Sequence, residues 1–259
     1  MRRLTMHTNC KYISEELAEK LVRCVEDAVG DGIREDIQKN DLQTKNSVPA
    51  RIWDLMNTNI IKTLETQDCT IAKAHRGPWE MLIVFEKTTQ CIFTLMREKR
   101  FTEIRKYQRK RVHMHYVDML AKQFNNELIA EQKQLSLFPH AFADEDRLAE
   151  LVQTLLSDLK GDIEVVRNHV LILFDTEGYQ LKHIRAIMVT PDLEIAAGSE
   201  QDWSAYISTH ESVIVEKVTN PDAAENRPNR GLSLKAKAVA RQKNKPKRKD
   251  LEQDITKDK

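Results

Sequence analysis

Two apolar runs, Leu82-Ile83-Val84-Phe85 and Leu171-Ile172-Leu173-Phe174, constrain the fold of this 259-residue chain more than any other feature. Trp79 to Phe85 is apolar enough for a central strand, and the second run lies in a strand expected over about 168–174. Each run ends in a carboxylate, Glu86 or Asp175. The echo is compatible with an internal duplication, but apolar strands resemble one another by default.

The same order, helix, then strands, then helix, recurs around both runs. Ser14 can cap a helix to about Val29, with Leu17, Leu21, Val25 and Val29 in an i, i+4 stripe and Gly30-Asp31-Gly32 as its stop. After a polar stretch to Asn46, Ser47-Val48-Pro49 opens a helix presenting Ile52, Met56, Ile60 and Leu64. Strands are expected over 69–96, with a Gly77-Pro78 break, then helices over about 98–112 and 115–130. Asp144 or Asp146 caps a helix carrying Leu148 to Leu159 and ending at Gly161; strands follow over about 168–174, 181–189 and 193–197. A short helix holds Trp203 and Tyr206, and Ser212–Val218 suits a last strand. The expected class is α+β, with two subdomains (1–130 and 143–219), each packing helices on a small, mainly antiparallel sheet. A linker over 131–142 joins them, and a disordered basic tail spans 220–259.

No run of eighteen apolar residues exists, so no membrane span is expected, and the N-terminus does not read as a secretory signal. Cys10, Cys24, Cys69 and Cys91 form no Cys-x-x-Cys pair, which suits reduced thiols in a cytoplasmic protein better than disulfides or zinc. The formal net charge of +1 hides an uneven distribution. Arg97 to Val112 holds eight Lys or Arg against two Glu, and Asn220 to Lys259 holds twelve against six acids. Two cationic segments therefore sit on an acidic body.

Gln134-Leu135-Ser136-Leu137-Phe138, followed by Pro139, resembles the short peptide by which bacterial DNA-handling proteins dock on the replication sliding clamp. The resemblance covers these five residues. It implies Gln134 as polar anchor, Leu135 as first apolar anchor, Leu137 and Phe138 as the plug of a deep cleft, and Ser136 as spacer. Pro139 biases Phe138 towards an extended backbone, which lowers the ordering cost of docking. The alternation of Leu135 and Leu137 equally suits a half-buried strand. The whole chain resembles bacterial families of unknown function, which implies no activity.

The cationic segment comprises Arg97, Lys99, Arg100, Arg105, Lys106, Arg109, Lys110 and Arg111, interleaved with Phe101 and Tyr107. A helix there turns Phe101, Ile104, Gln108 and Val112 inward and much of the charge outward, a face suited to phosphates. The plainer reading is a solvated helix pairing with the acidic body. Lys245, Lys247, Arg248 and Lys249 suit a flexible arm on a phosphate backbone, or a solubilising tail. His113 and His115 would point about 200° apart on a helix and could share an ion only on a strand; with no matched acidic or thiol ligand nearby, no metal site is expected. Asp175, Glu177, Asp192 and Glu194 lie at strand ends, where a Mg²⁺ nuclease places carboxylates, but no acidic-x-Lys follows. Trp53, Trp79 and Trp203 read as core anchors. No phosphate loop, dinucleotide glycine fingerprint or nucleophile elbow is present.

The leading expectation is a DNA-associated accessory protein recruited to the clamp, without cofactor, metal or catalytic residues. The alternatives are a protein-interaction component of a mobile-element or toxin–antitoxin-like module, and a metal-dependent nuclease.

Overall fold

The computed structural model describes residues 12–208 except 67, 77–78, 112 and 129–144, and leaves the side chains of 76, 109, 145–147, 149, 160 and 161 undescribed. Six strands form one sheet in chain order: β1 (Cys69–Arg76), β2 (Trp79–Glu86), β3 (Cys91–Arg97), β4 (Asn168–Glu177), β5 (Gln180–Ile187) and β6 (Gln201–Asp202). All neighbours are antiparallel except β3 and β4, which run parallel from Cys91↔Asn168 to Arg97↔Phe174. A parallel pair needs a long crossover, and here helices supply it.

Helices cover both faces because the central strands are apolar on both. Towards the first face, Phe93, Leu95, Val170, Ile172, Phe174 and Ile184 pack with α1 (Glu15–Val29), α2 (Asp31–Lys39) and α3 (Val48–Leu64). Towards the second, Ile83, Phe85, Ile92, Leu171, Leu173 and Ile187 pack with α4 (Glu98–Lys106), α5 (Tyr116–Phe124) and α6 (Glu145–Leu155). Leu171 and Ile172, adjacent and both fully buried, thus serve opposite cores. At about 1.5–3 kcal/mol per large buried side chain, these strands carry much of the stability.

Local signals act as expected at several points. Ser14 Oγ accepts from Leu17 N at 3.2 Å, and Glu15 and Glu16 occupy the positive first turn of α1. Ile52, Met56, Ile60 and Leu64 of α3 are all buried. Gly178, at φ +57, takes the left-handed position in the turn from β4 to β5.

The α+β class and the mainly antiparallel sheet are borne out. The strands expected in two small sheets instead join in one, because β3 and β4 are buried on both faces and each requires a paired neighbour on both edges. α2 lies in the expected polar stretch; it forms because Ile33, fully buried, and Ile37, half-buried against the same core, give it a short apolar stripe. The helix expected to reach residue 112 stops at Lys106, and a 3₁₀ turn (Gln108–Lys110) follows. Another 3₁₀ stretch (Ser157–Val165) runs past Gly161, and the strand expected at 193–197 is a single bridge, Val189↔Ile195. The linker 131–142, the strand at 212–218 and the tail 220–259 lie outside the described residues.

Candidate nucleic-acid interface

α4 leaves the end of β3 and lies on the second face, held there by Phe101 and Ile104, each 2 % exposed. Its polarity suits the helix dipole, with Glu98 in the first turn and Arg105 and Lys106 in the last. Lys99, Arg100, Arg105, Lys106 and Lys110 are exposed along α4 and the 3₁₀ turn. Two of them meet carboxylates: Arg100 lies 3.2 Å from Glu103 Oε2, and Arg105 pairs with Glu194. Tyr107, at the joint between the two helical pieces, is 47 % exposed, and Lys106 Nζ stands 5.5 Å from its ring centroid.

The other cations of the segment are placed differently. Arg97 turns to the first face, where its guanidinium lies over the Phe174 ring and donates to Thr176 Oγ1 at 3.1 Å. Arg111 is half-buried against Asp118, at 2.7 Å from Oδ2 and 3.0 Å from Oδ1. The side chain of Arg109 is outside the described residues, as are Lys245, Lys247, Arg248 and Lys249 and the docking peptide residues Gln134, Leu135, Leu137 and Phe138.

A buried polar network fixes this strip to the body. Asp118 is fully buried, and its Oδ1 also accepts from Gln108 Nε2 at 3.1 Å while Oδ2 accepts from the His115 amide at 2.8 Å. Gln108 Nε2 donates in addition to the Pro191 carbonyl at 3.0 Å. One carboxylate thus ties the 3₁₀ turn to the start of α5, and Gln108 ties it to the loop after β5. His115 caps α5, its Nδ1 accepting from Val117 N at 3.3 Å. At the other end of α4, Arg185 is gripped through Nε and a second nitrogen by Glu98, at 3.1 and 2.5 Å, and reaches Glu200 at 2.6 Å. A buried charge such as Asp118 is tolerated only when paired and hydrogen-bonded, and the half-buried Arg185–Glu98 pair adds a second clamp on α4.

A second buried network lies further along the sheet. Asn125, just past α5, donates to the carbonyls of His169 and Val189 at 2.8 and 3.0 Å, and its Oδ1 accepts from His169 N at 3.0 Å. His169 Nε2 is 2.8 Å from Thr94 Oγ1, bridging the parallel pair β3–β4. Burial pushes the His169 imidazole down to about 3, so it is neutral near pH 7.

The carboxylates considered for metal chemistry are spread apart. Asp175 Oδ1 accepts from Thr176 N, Glu177 lies 3.6 Å from Lys182, Glu194 meets Arg105, and Asp192 is exposed. Among the described residues no three His, Cys, Asp or Glu side chains gather where they could hold a metal ion. Cys24, Cys69 and Cys91 are free and buried, with the Cys69 and Cys91 thiols pushed up to about 11 chiefly by burial. Trp203 is a core residue, but Trp79 is not: β2 leaves its register with β3 after Val84↔Phe93, and Trp79 ends the β1–β2 hairpin opposite Arg76, 60 % exposed. No described helix is long and apolar enough to cross a membrane.

The sequence exposes the cationic segment to view, but not the Asp118 network beneath it. That network joins residues 108, 111, 115, 118 and 191, and its local signals are a Gln on the apolar side of a basic helix and the i, i+3 spacing of the His115–Asp118 capping box. No curated protein and no solved structure matches the chain. A family model covers residues 11–255, nearly the whole length, so the chain belongs to the family of unknown function DUF5986.

Proposed function

We propose that this chain is a DNA-associated accessory protein that contacts the phosphate backbone through α4 and its 3₁₀ extension and reaches the bacterial sliding clamp through Gln134–Phe138. The observation that carries the first half is the sorting of one dense cationic segment. Arg97 and Arg111 are turned into internal contacts, while Lys99, Lys106 and Lys110 are exposed on a strip fixed at both ends. A preorganised row of ammonium groups binds phosphate with little ordering cost and independently of base sequence. Five exposed cations there face two carboxylates, Glu103 and Glu194, which leaves the strip net positive. The cationic residues Lys245, Lys247, Arg248 and Lys249 would add further backbone contacts.

The second half rests on the docking-peptide resemblance. Calorimetric titration of the full chain with purified sliding clamp tests it. Saturable binding that disappears in Leu137→Ala/Phe138→Ala supports recruitment; no binding, or equal binding by the variant, removes it and leaves the phosphate strip to stand alone.

A further inference from the structure

We infer that the nucleic acid taken by the α4 strip is single-stranded, with the Tyr107 ring stacking on an unpaired base; this rests on the phosphate-contact reading above. The cationic segment carries two aromatic residues, and the fold treats them oppositely. Phe101 is 2 % exposed and holds α4 down, whereas Tyr107 is 47 % exposed among the cations. Only four large apolar side chains among the described residues are exposed, Trp79, Tyr107, Leu151 and Val165, so an exposed ring is not the default here.

The backbone around Tyr107 is fixed. Its amide donates to the Glu103 carbonyl at 3.1 Å, and its own carbonyl accepts from Lys110 N at 3.0 Å. Gln108, the next residue, is buried and bonded to Asp118 and Pro191. The ring is therefore presented by a rigid joint, with Lys106 Nζ near its face and exposed Arg105 and Lys110 near it in sequence.

A duplex offers such a strip its phosphates and its base edges, while its base faces are occupied by stacking. A ring adds binding energy only where a base is unpaired, and each such stack is tolerant of sequence. Cations that track a backbone beside an aromatic platform are what single-strand binding requires. Exposed base faces are common to DNA and RNA strands, so the sugar is left to the experiment.

The test is fluorescence anisotropy of the full chain with labelled oligo-dT, oligo-U and a DNA duplex of equal length at one salt concentration. The inference expects a strand to bind more tightly than the duplex. Tyr107→Ala weakens strand binding roughly five- to hundredfold and leaves duplex binding unchanged, while Tyr107→Phe keeps wild-type affinity for both. A melting curve for each variant shows that it is folded. Equal affinity for strand and duplex, or unchanged strand affinity in Tyr107→Ala, overturns the stacking inference and leaves phosphate contact standing. Absence of binding to all three nucleic acids overturns both.

Discussion

Arg111 closes a fork on Asp118, with guanidinium nitrogens 2.7 and 3.0 Å from its two carboxylate oxygens, and this pair anchors the cationic strip from below. The carboxylate is fully buried and the guanidinium half-buried, so each is the other's compensation for lost water. The arrangement assigns one of the eight cations to structure and thereby fixes the direction of those beside it.

Breaking that fork from one side strands a charge. Asp118→Ala is expected to destabilise the fold by about 3–5 kcal/mol, and Arg111→Met by a similar or smaller amount because the guanidinium is only half-buried. The double substitution costs less than the sum of the two. A double-mutant cycle by urea denaturation measures the coupling; strict additivity contradicts the account.

His169 sets an acid limit on stability. Its folded pKa of about 3 lies below the ordinary value of 6.5 because burial disfavours the imidazolium. A depressed pKa contributes stability that is complete above the unfolded value and is lost as pH falls through the window from 6.5 towards 3. The loss reaches about 2 kcal/mol by pH 5. His169→Leu/Thr94→Val removes the titrating group and its partner together, so its stability falls less over the same interval. Identical pH profiles for variant and wild type in denaturant titrations exclude this role.

Trp79 and Phe174 should respond oppositely to truncation. Trp79→Ser alters stability by no more than about 0.5 kcal/mol, as for surface sites generally, because the ring stands at a hairpin end. Phe174→Ala costs about 3–5 kcal/mol, since Phe174 is fully buried against Trp53, 5.6 Å between ring centroids, and lies under Arg97. Thermal melts of the two variants decide it.

What is legible in the chain, and what is not, follows the range of the forces involved. Strands β2 and β4 are legible because each holds a short continuous apolar run with turn residues nearby, which suits a strand buried on both faces. α1 and α3 are legible because Ser14, Pro49 and the i, i+4 stripes are local signals. α2 is not, because one i, i+4 pair, Ile33 and Ile37, is too short a stripe to stand out of a polar stretch. α4 breaks at Tyr107 for two reasons that act against the helical pattern. Arg105 with Arg109, and Lys106 with Lys110, place like charges four residues apart, and Gln108 is drawn towards Asp118, past the end of the helix, and Pro191, distant along the chain. The single sheet is hidden for the same cause: β3 and β4 meet through a crossover whose pairing partners lie about as far apart in sequence as Cys91 and Asn168. The exposure of Trp79 depends on where β2 departs from β3, which no local pattern encodes.

The most direct test of phosphate binding by the α4 strip is the salt dependence of nucleic-acid affinity for the full chain and for Lys99→Ala/Lys106→Ala/Lys110→Ala. If those three ammonium groups meet phosphates, the logarithm of affinity falls linearly with the logarithm of salt, and the variant's slope is shallower by roughly 2–3, about one for each ammonium group removed. A variant with the wild-type slope and affinity would show that the strip is only a solvated helix face and would contradict the proposal.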